Sequence, residues 1–407
     1  MAGILAMILA GGEGSHLFPL TQTRTEPSVP FGGNYRLIDF TLNNFVNANL
    51  MKIYVLTQFK SQSLNIHLRK AWRLSGIANR FIEAVPAQQR INKNWYSGTA
   101  DAIFQNARFI EKHAPEHVCI FGSDHIYKMD VQQMVKHHEN KNASLTVAAI
   151  RVVKEEAYRF GIIEIDEQGR MIGFAEKPSV EEAKTIPGDD KHVLASMGNY
   201  IFKSDTLLKE LYDDAADSNS SHDFGKDIIP KLCEKGNVFV YKLSDNYIPG
   251  EPKTAYWRDV GDIYSYWEAH MQMLAPQAPF SLYNKDWPLH TYHPPLPAAT
   301  FREQGDTVND IAQSMIGAGS YVNGAKIKSS FVGFNSHIGS GAEINESILL
   351  GNVKIGCNVR LNKVIIDKDV EIAPGTVIGE NIEEDKKKFT VSDGIVVIAK
   401  GSKVGFD

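Results

Sequence analysis

The chain has 407 residues, enough for two domains with complete cores. Its 43% hydrophobic and 22% charged content is ordinary for a soluble globular protein, and three widely spaced cysteines, Cys119, Cys233 and Cys357, argue against a disulfide frame or a zinc site and for a reducing compartment. A net charge of −5 disfavours non-specific nucleic-acid binding, and the N-terminal apolar run is too short for a signal peptide or a membrane span. The expectation is a cytoplasmic protein with neither a nucleic-acid nor a membrane partner.

The apolar run from Ile4 to Leu9 reads as a strand that ends in Ala10-Gly11-Gly12-Glu13-Gly14. A Gly-rich turn after a strand can bring backbone N–H groups onto phosphate oxygens, or it can be a plain turn. It is neither a Walker A loop nor a dinucleotide fingerprint, since no Gly-Lys-Ser/Thr and no third Gly follow. Pro19, Pro27 and Pro30 then stiffen an extended stretch, and Asp39 is expected to cap a helix through Phe40, Leu42, Phe45 and Val46. Lys52–Thr57, Val118–Phe121 and Leu145–Ile150 read as buried strands, and Ala100 to Ile110 as one helix with Ile103, Phe104, Ala107 and Ile110 on a face. This alternation predicts a doubly wound α/β domain with a mostly parallel sheet over residues 1–274. In such sheets ligands sit beyond the carboxyl ends of the strands, where Gly11–Gly14 and Gly122-Ser123-Asp124-His125 both fall.

A Pro- and aromatic-rich stretch, 275–301, reads as a linker lying on the domains. In 302–407 aliphatic residues recur every six positions: Val332, Ile338, Ile344 and Leu350, then Leu349, Ile355 and Leu361, then Ile366, Ile372 and Ile378, with a slip of one residue between runs. Gly follows at 333, 339, 351, 356 and 379. This is the hexapeptide repeat of a parallel β-helix, with Gly or Asn expected at tight corners.

Taken alone, Asp124 and Asp259 read as caps or turn residues, or as two carboxylates converging on a hard cation. Glu176-Lys177-Pro178 is an exposed pair before a turn, or an anchor for a sugar phosphate.

The run Leu9-Ala10-Gly11-Gly12 with Phe31-Gly32-Gly33-x-Tyr35-Arg36-Leu37-Ile38-Asp39-Phe40 resembles the glucose-1-phosphate adenylyltransferase family of sugar-nucleotide pyrophosphorylases. The resemblance extends over residues 4 to about 405. It implies a Rossmann-like nucleotidyltransferase domain followed by a left-handed β-helix used for tetramer contacts and regulation. It implies ATP and glucose 1-phosphate as substrates, ADP-glucose for glycogen synthesis as the product, and Mg²⁺ on Asp124 and Asp259. Leu9, Gly11, Gly12, Gly14, Gln88 (with Gln89), Gly98 and Thr99 would face the nucleotide; for the glutamines, a plain surface loop stays an equal reading. Tyr96, Gly161, Glu176, Lys177 and Ser196 would face glucose 1-phosphate. Sugar-phosphate or nucleotide effectors would meet Arg24, Arg36, Lys363 and Lys386-Lys387-Lys388, the last group being equally a solvated charge run.

Two positions depart from the family pattern: His16 stands where it has Arg, and Glu26 where it has Lys. Both cations serve the phosphates in the family, so His16, Glu26 and Asp124 become the residues on which catalysis turns. A charge reversal at position 26 predicts slow turnover by the chain alone. Two assemblies follow: a self-sufficient homotetramer, or a regulatory subunit in a heterotetramer with a catalytic paralogue.

Overall fold

The computed structural model describes residues 3–74, 79–88, 95–303 and 307–406. Strand Ile4–Ala10 shows why the first domain is layered, because alternate side chains of a strand point to opposite faces. Ala6, Ile8 and Ala10 join one core with Ile38, Leu42 and Phe45 of helix Leu37–Asn47 and with Met134 and Val135 of helix Val131–Asn140. Leu5 and Met7 join a second core with Ile103, Ile110, Leu207, Leu211 and Ile229. Helices thus cover both faces, as a doubly wound sheet requires.

Strands His117–Gly122, Ile4–Ala10, Lys52–Thr57 and Phe81–Pro86 lie side by side in that order, all parallel. Beyond His117–Gly122 the sheet becomes mixed. The long strand His192–Lys203 runs antiparallel to it, to Leu145–Val153 and to Gly161–Ile165. Gly161–Ile165 and Met171–Glu176 form a hairpin, since so short a connection permits only antiparallel pairing. The parallel half is the one that carries the Gly-rich turn.

Two local expectations are corrected. The helix expected from Ala100 to Ile110 is two helices, Thr99–Phe104 and Ala107–His113, which turn at Gln105 and Asn106. Asp39 does not cap its helix from outside; it lies inside the first turn and is buried. Its carboxylate accepts from Arg36 N (2.9 Å), His67 Nε2 (2.6 Å), Trp72 Nε1 (2.8 Å) and Thr291 Oγ1 (2.7 Å). Four donors offset the cost of burying it.

The segment after helix Ile263–Leu274 does lie on the domain. Asn43 and Asn47 donate to the carbonyls of His290 and Pro288, both at 2.9 Å, and Lys128 pairs with Glu251 while donating to Ser281 O. The first strand of the second domain, Thr300–Arg302, follows directly.

That domain is a coil of three sheets of six, five and six strands, parallel throughout except for the hairpin strand Thr390–Ser392 on Ile395–Ile398, the architecture of a left-handed hexapeptide β-helix. Side-chain ladders such as Lys326 to Glu343 and Asn335 to Asn352 join residues 17 apart. Three strict hexapeptides would give 18, so the central coils drop one residue each, and this is the slip seen in the aliphatic pattern; the first turn is 16 residues and the last carries an insertion. The core columns are Val332-Leu349-Ile366, Ile338-Ile355-Ile372 and Ile344-Leu361-Ile378, so Leu349 stacks on Val332 and Leu350 does not. Asn335, Asn352 and Asn358 take left-handed corners, as expected, but so do Glu346 and Lys363. Gly339 serves close approach instead: a Cβ there would lie 2.7 Å from the backbone of Cys357 in the next coil.

The two domains share a core. Phe31, Phe40, Ile263 and Tyr266 of the first pack with Phe331, Ile348 and Ile365 of the second. Arg24 crosses the boundary to Asp367, 3.0 Å away, with both side chains buried.

Candidate active site

The carboxyl ends of the parallel strands open into a cleft of about 470 Å³. Leu9, Ala10, Gly11 and Gly12 form one wall; Gln58, Tyr96, Gly98 and Thr99 another; Asp124, Glu176, Tyr200, Asp223 and Gly225 the rest. Sequence reasoning placed Leu9, Gly11, Gly12, Tyr96, Gly98, Thr99, Asp124 and Glu176 at a common site, and these all line it.

The Gly-rich turn is braced from behind. Thr21 Oγ1 donates to Gly14 O at 2.7 Å, and Thr25 Oγ1 to Gly12 O at 3.2 Å. Gly14 has φ 62°, and a Cβ there would meet Glu26 at 2.8 Å and Thr21 at 2.9 Å. The second wall joins expected residues to two side chains, Gln58 and Asn106, that no motif announced. Gln58 Oε1 accepts from Tyr96 N at 2.7 Å, and Asn106 donates to Tyr96 Oη at 2.9 Å. Thr99 Oγ1 donates to Asp223 at 2.9 Å, and Gly98 packs so closely on His222 that a Cβ would lie 2.2 Å from its carbonyl oxygen. His16 sits exposed on the turn Ser15–Leu17. Gln88 is exposed after strand Phe81–Pro86, and Gln89 lies outside the described residues.

Glu176 ends strand Met171–Glu176 beside Gly161, where a Cβ would lie 2.9 Å from its Oε2 and 2.3 Å from Phe174. Burial, then the nearby Asp223, pushes the Glu176 carboxyl up, while Lys177 and Lys226 pull it back. Lys177 has φ 49°, and its N–H donates to Phe160 O at 3.0 Å, which fixes the turn that presents its side chain. Ser196, nearly buried, accepts from Gly198 N at 3.3 Å where strand His192–Lys203 breaks register. It shapes that bend, and Gly198 and Tyr200 reach the cleft.

At the other end three acidic side chains meet. Asp259 pairs in register with His125, which follows Asp124, and Glu26 feels both aspartates. Burial, then Asp124 and Asp259, pushes the Glu26 carboxyl up to about 9. In the free protein this favours the neutral form of the carboxyl, which weakens the charge reversal expected at position 26, while the cation is still lost there. Among the described residues no set of three or more His, Cys, Asp or Glu forms an all-protein metal cage. Asp124 lines the cleft, and Asp259 lies beside it through its pairing with His125 without lining it; two such carboxylates fit Mg²⁺, which keeps much of its shell for water and phosphate oxygens. Arg159, missed in the sequence, donates to Asp262 at 2.9 Å and to Asp259 at 3.4 Å.

The basic candidates separate. Arg24 and Arg36 lie near Lys368, a residue that the sequence did not single out. Burial first, then Arg36 and Arg24, lowers the Lys368 ammonium to about 7. Lys363 sits over the Trp267 ring at 5.4 Å and pairs with Glu346. Lys386 and Lys387 pair with Glu383 and Glu384, and Lys388 lines a separate groove with Arg360 and Lys403. No ion pair or hydrogen bond among the described residues joins these to Arg24 or Arg36.

The family model described as "Nucleotidyl transferase" matches residues 5–275, and one described as "GlmU-like, C-terminal hexapeptide" matches 296–398. Among curated proteins, the "Glucose-1-phosphate adenylyltransferase" of Photobacterium profundum is 61% identical over 407 residues, all of both chains. The protein of that name from Aliivibrio fischeri (strain MJ11) is 62% identical over the same span, and that from Anaeromyxobacter sp. (strain Fw109-5) is 46% identical over 99% of this chain and all of its own. No helix among the described residues is long and apolar enough to cross a membrane.

Proposed function

The chain belongs to the glucose-1-phosphate adenylyltransferase family of nucleotidyltransferases, and from that membership we propose how its cleft joins ATP to glucose 1-phosphate. A phosphate oxygen of the sugar attacks the α-phosphorus of ATP in line. The bond from that phosphorus to the β-phosphate oxygen breaks, and pyrophosphate takes the electron pair. The attacking phosphate is already ionised at pH 7, so no side chain need remove a proton. Catalysis is positioning and charge neutralisation.

Gly11, Gly12 and Gly14 receive the triphosphate on backbone N–H groups, and Gly98 and Thr99 close over the nucleotide. Glu176 meets sugar hydroxyls, and Lys177 meets the sugar phosphate. Asp124 and Asp259 would hold Mg²⁺, which would neutralise charge on the phosphates. The observation that carries this reading is the single cleft in which the Gly-rich turn, Asp124 and Glu176 face one another. The other reading, a regulatory subunit beside a competent paralogue, is not favoured, since relatives matched over the full length carry the enzyme's name.

We further propose a cytoplasmic homotetramer whose anionic effector, a sugar phosphate or nucleotide, binds at Arg24, Arg36 and Lys368. The mutual repulsion of these three cations supports that placement. The test of the reaction is pyrophosphate release by the purified chain with Mg²⁺ and glucose 1-phosphate. ATP should serve and UTP and GTP should not; release with UTP alone would overturn the assignment of the nucleotide.

A further inference from the structure

We propose that Arg159 is a positioning residue of this reaction centre: it fixes Asp259 and supplies the permanent positive charge that position 26 lacks. The inference rests on the adenylyltransferase reading of the cleft.

Arg159 ends the turn Lys154–Arg159, directly before strand Gly161–Ile165. Its guanidinium lies 2.9 Å from Asp262 Oδ2 and 3.4 Å from both Asp259 Oδ2 and Ser265 Oγ. Asp262 is itself immobilised. It caps helix Ile263–Leu274, accepting from Ser265 N at 2.7 Å and from Ser265 Oγ at 2.8 Å. The guanidinium is thus anchored on a helix cap and extends from it to Asp259. The second oxygen of Asp259 accepts from Gly261 N at 2.9 Å. Both oxygens of this carboxylate are therefore held before any cation arrives.

Among the described residues no other Lys or Arg pairs with Asp124, Asp259 or Glu26; His125, 3.4 Å from Asp124, is the remaining basic neighbour. An Arg at this place keeps its charge at every working pH and offers a planar fork that can address a carboxylate and, beyond it, phosphate oxygens. Its chain position adds a second link. Phe160 O accepts from Lys177 N, and Gly161 packs on Glu176. One short segment therefore connects the carboxylate end of the cleft to the sugar-phosphate end.

The test compares Arg159→Met, Arg159→Lys and Arg159→Met with Glu26→Lys in the full chain. Mn²⁺ affinity is measured by electron paramagnetic resonance without nucleotide, alongside the melting temperature and kcat and KM for glucose 1-phosphate. The guanidinium competes with a metal for Asp259 and also serves the phosphates. Arg159→Met should therefore bind Mn²⁺ at least as tightly as the parent, while kcat falls by roughly tenfold to a hundredfold with little change in KM. Arg159→Lys should recover part of the loss, and Glu26→Lys in the Arg159→Met background should recover more, because it returns a cation by another route. A purely structural residue would behave differently: Mn²⁺ affinity, melting temperature and kcat would fall together, with no recovery from Glu26→Lys, and that result overturns the proposal. If the parent releases no pyrophosphate at all, the adenylyltransferase reading fails instead. The Mn²⁺ and melting arms then still decide whether Arg159 competes for Asp259.

Discussion

Replacing Glu26 by Gln tests the electrostatics of the acidic end without changing its shape. The carboxyl ordinarily titrates near 4.5 and is pushed up to about 9, first by burial and then by Asp124 and Asp259. Below 4.5 the group is protonated in both folded and unfolded chains and contributes nothing to the pH dependence. Between 4.5 and 9 folding must take up a proton, so stability falls as pH rises through that window. At pH 7 the cost is two and a half pH units of linkage, about 3 kcal/mol. Gln carries no such cost. An unfolding entropy of about 2 cal/mol/K per residue, over 407 residues, converts 3 kcal/mol to roughly 3–4 °C. Glu26→Gln should therefore melt about 3–4 °C above the parent at pH 7, further above it at pH 8.5, and only about 1 °C above it near pH 5. The assay is paired thermal melts from pH 5 to 8.5 in EDTA. A gap that stays constant across that range would refute the reasoning, since only a group titrating within it can make the gap open with pH.

Other outcomes follow from the same geometry. His138 and His270 are buried and held neutral, each lowered to about 3 by burial, so folding excludes a proton that the unfolded chain binds below about 6.5; stability should fall as pH drops from 6.5 towards 4, and His138→Gln should flatten that slope in acid melts. Arg24→Ala leaves Asp367 charged, buried and unpaired, and should cost about 3–5 kcal/mol in denaturant titrations. Gly161→Ala puts a methyl group against Phe174 and Glu176, and should raise KM for glucose 1-phosphate by about tenfold in steady-state assays, a loss of roughly 1.4 kcal/mol. Burial, with Arg36 and Arg24 nearby, lowers the Lys368 ammonium to about 7, so binding of an anion such as fructose 1,6-bisphosphate should weaken from pH 6 to pH 8 by calorimetry, and Lys368→Gln should remove that trend.

What the sequence made legible follows from how locally each feature is encoded. The β-helix is written in its period, because every coil buries the same positions, and even its 17-residue pitch appears as the one-residue slip. The strand leading to Gly11 and Gly12 is equally local. Asp39 misled because a short acidic residue before an apolar run is the usual sign of a cap, whereas here His67, Trp72 and Thr291 converge on it from three other segments. Arg159 and Gln58 carried no signal, since their partners lie 100 and 38 residues away and no spacing rule connects them. Lys368 carries no signal in the sequence for a related reason. Hexapeptide periodicity tells which residues point out of the coil, but not which outward face meets the other domain.

That interface gives the segment 24–26 an unusual position. Arg24 is held by Asp367 of the β-helix, Thr25 by the carbonyl of Gly12, and Glu26 lies beside Asp124 and Asp259. Three consecutive residues are thus tied to the second domain, to the phosphate-binding turn and to the carboxylate end of the cleft. Their backbone cannot shift at one of these points without loading the other two, because Pro27 follows and Thr25 and Ser28 are fully buried. A substitution at position 26 therefore has to be accommodated in place, by a change of charge state and not by moving away. Burial that raises the Glu26 carboxyl to about 9 does so, and it leaves the task of supplying positive charge to a residue outside the segment. Arg159, anchored on the cap of the helix that follows Asp259, is the cation that the fold brings within reach.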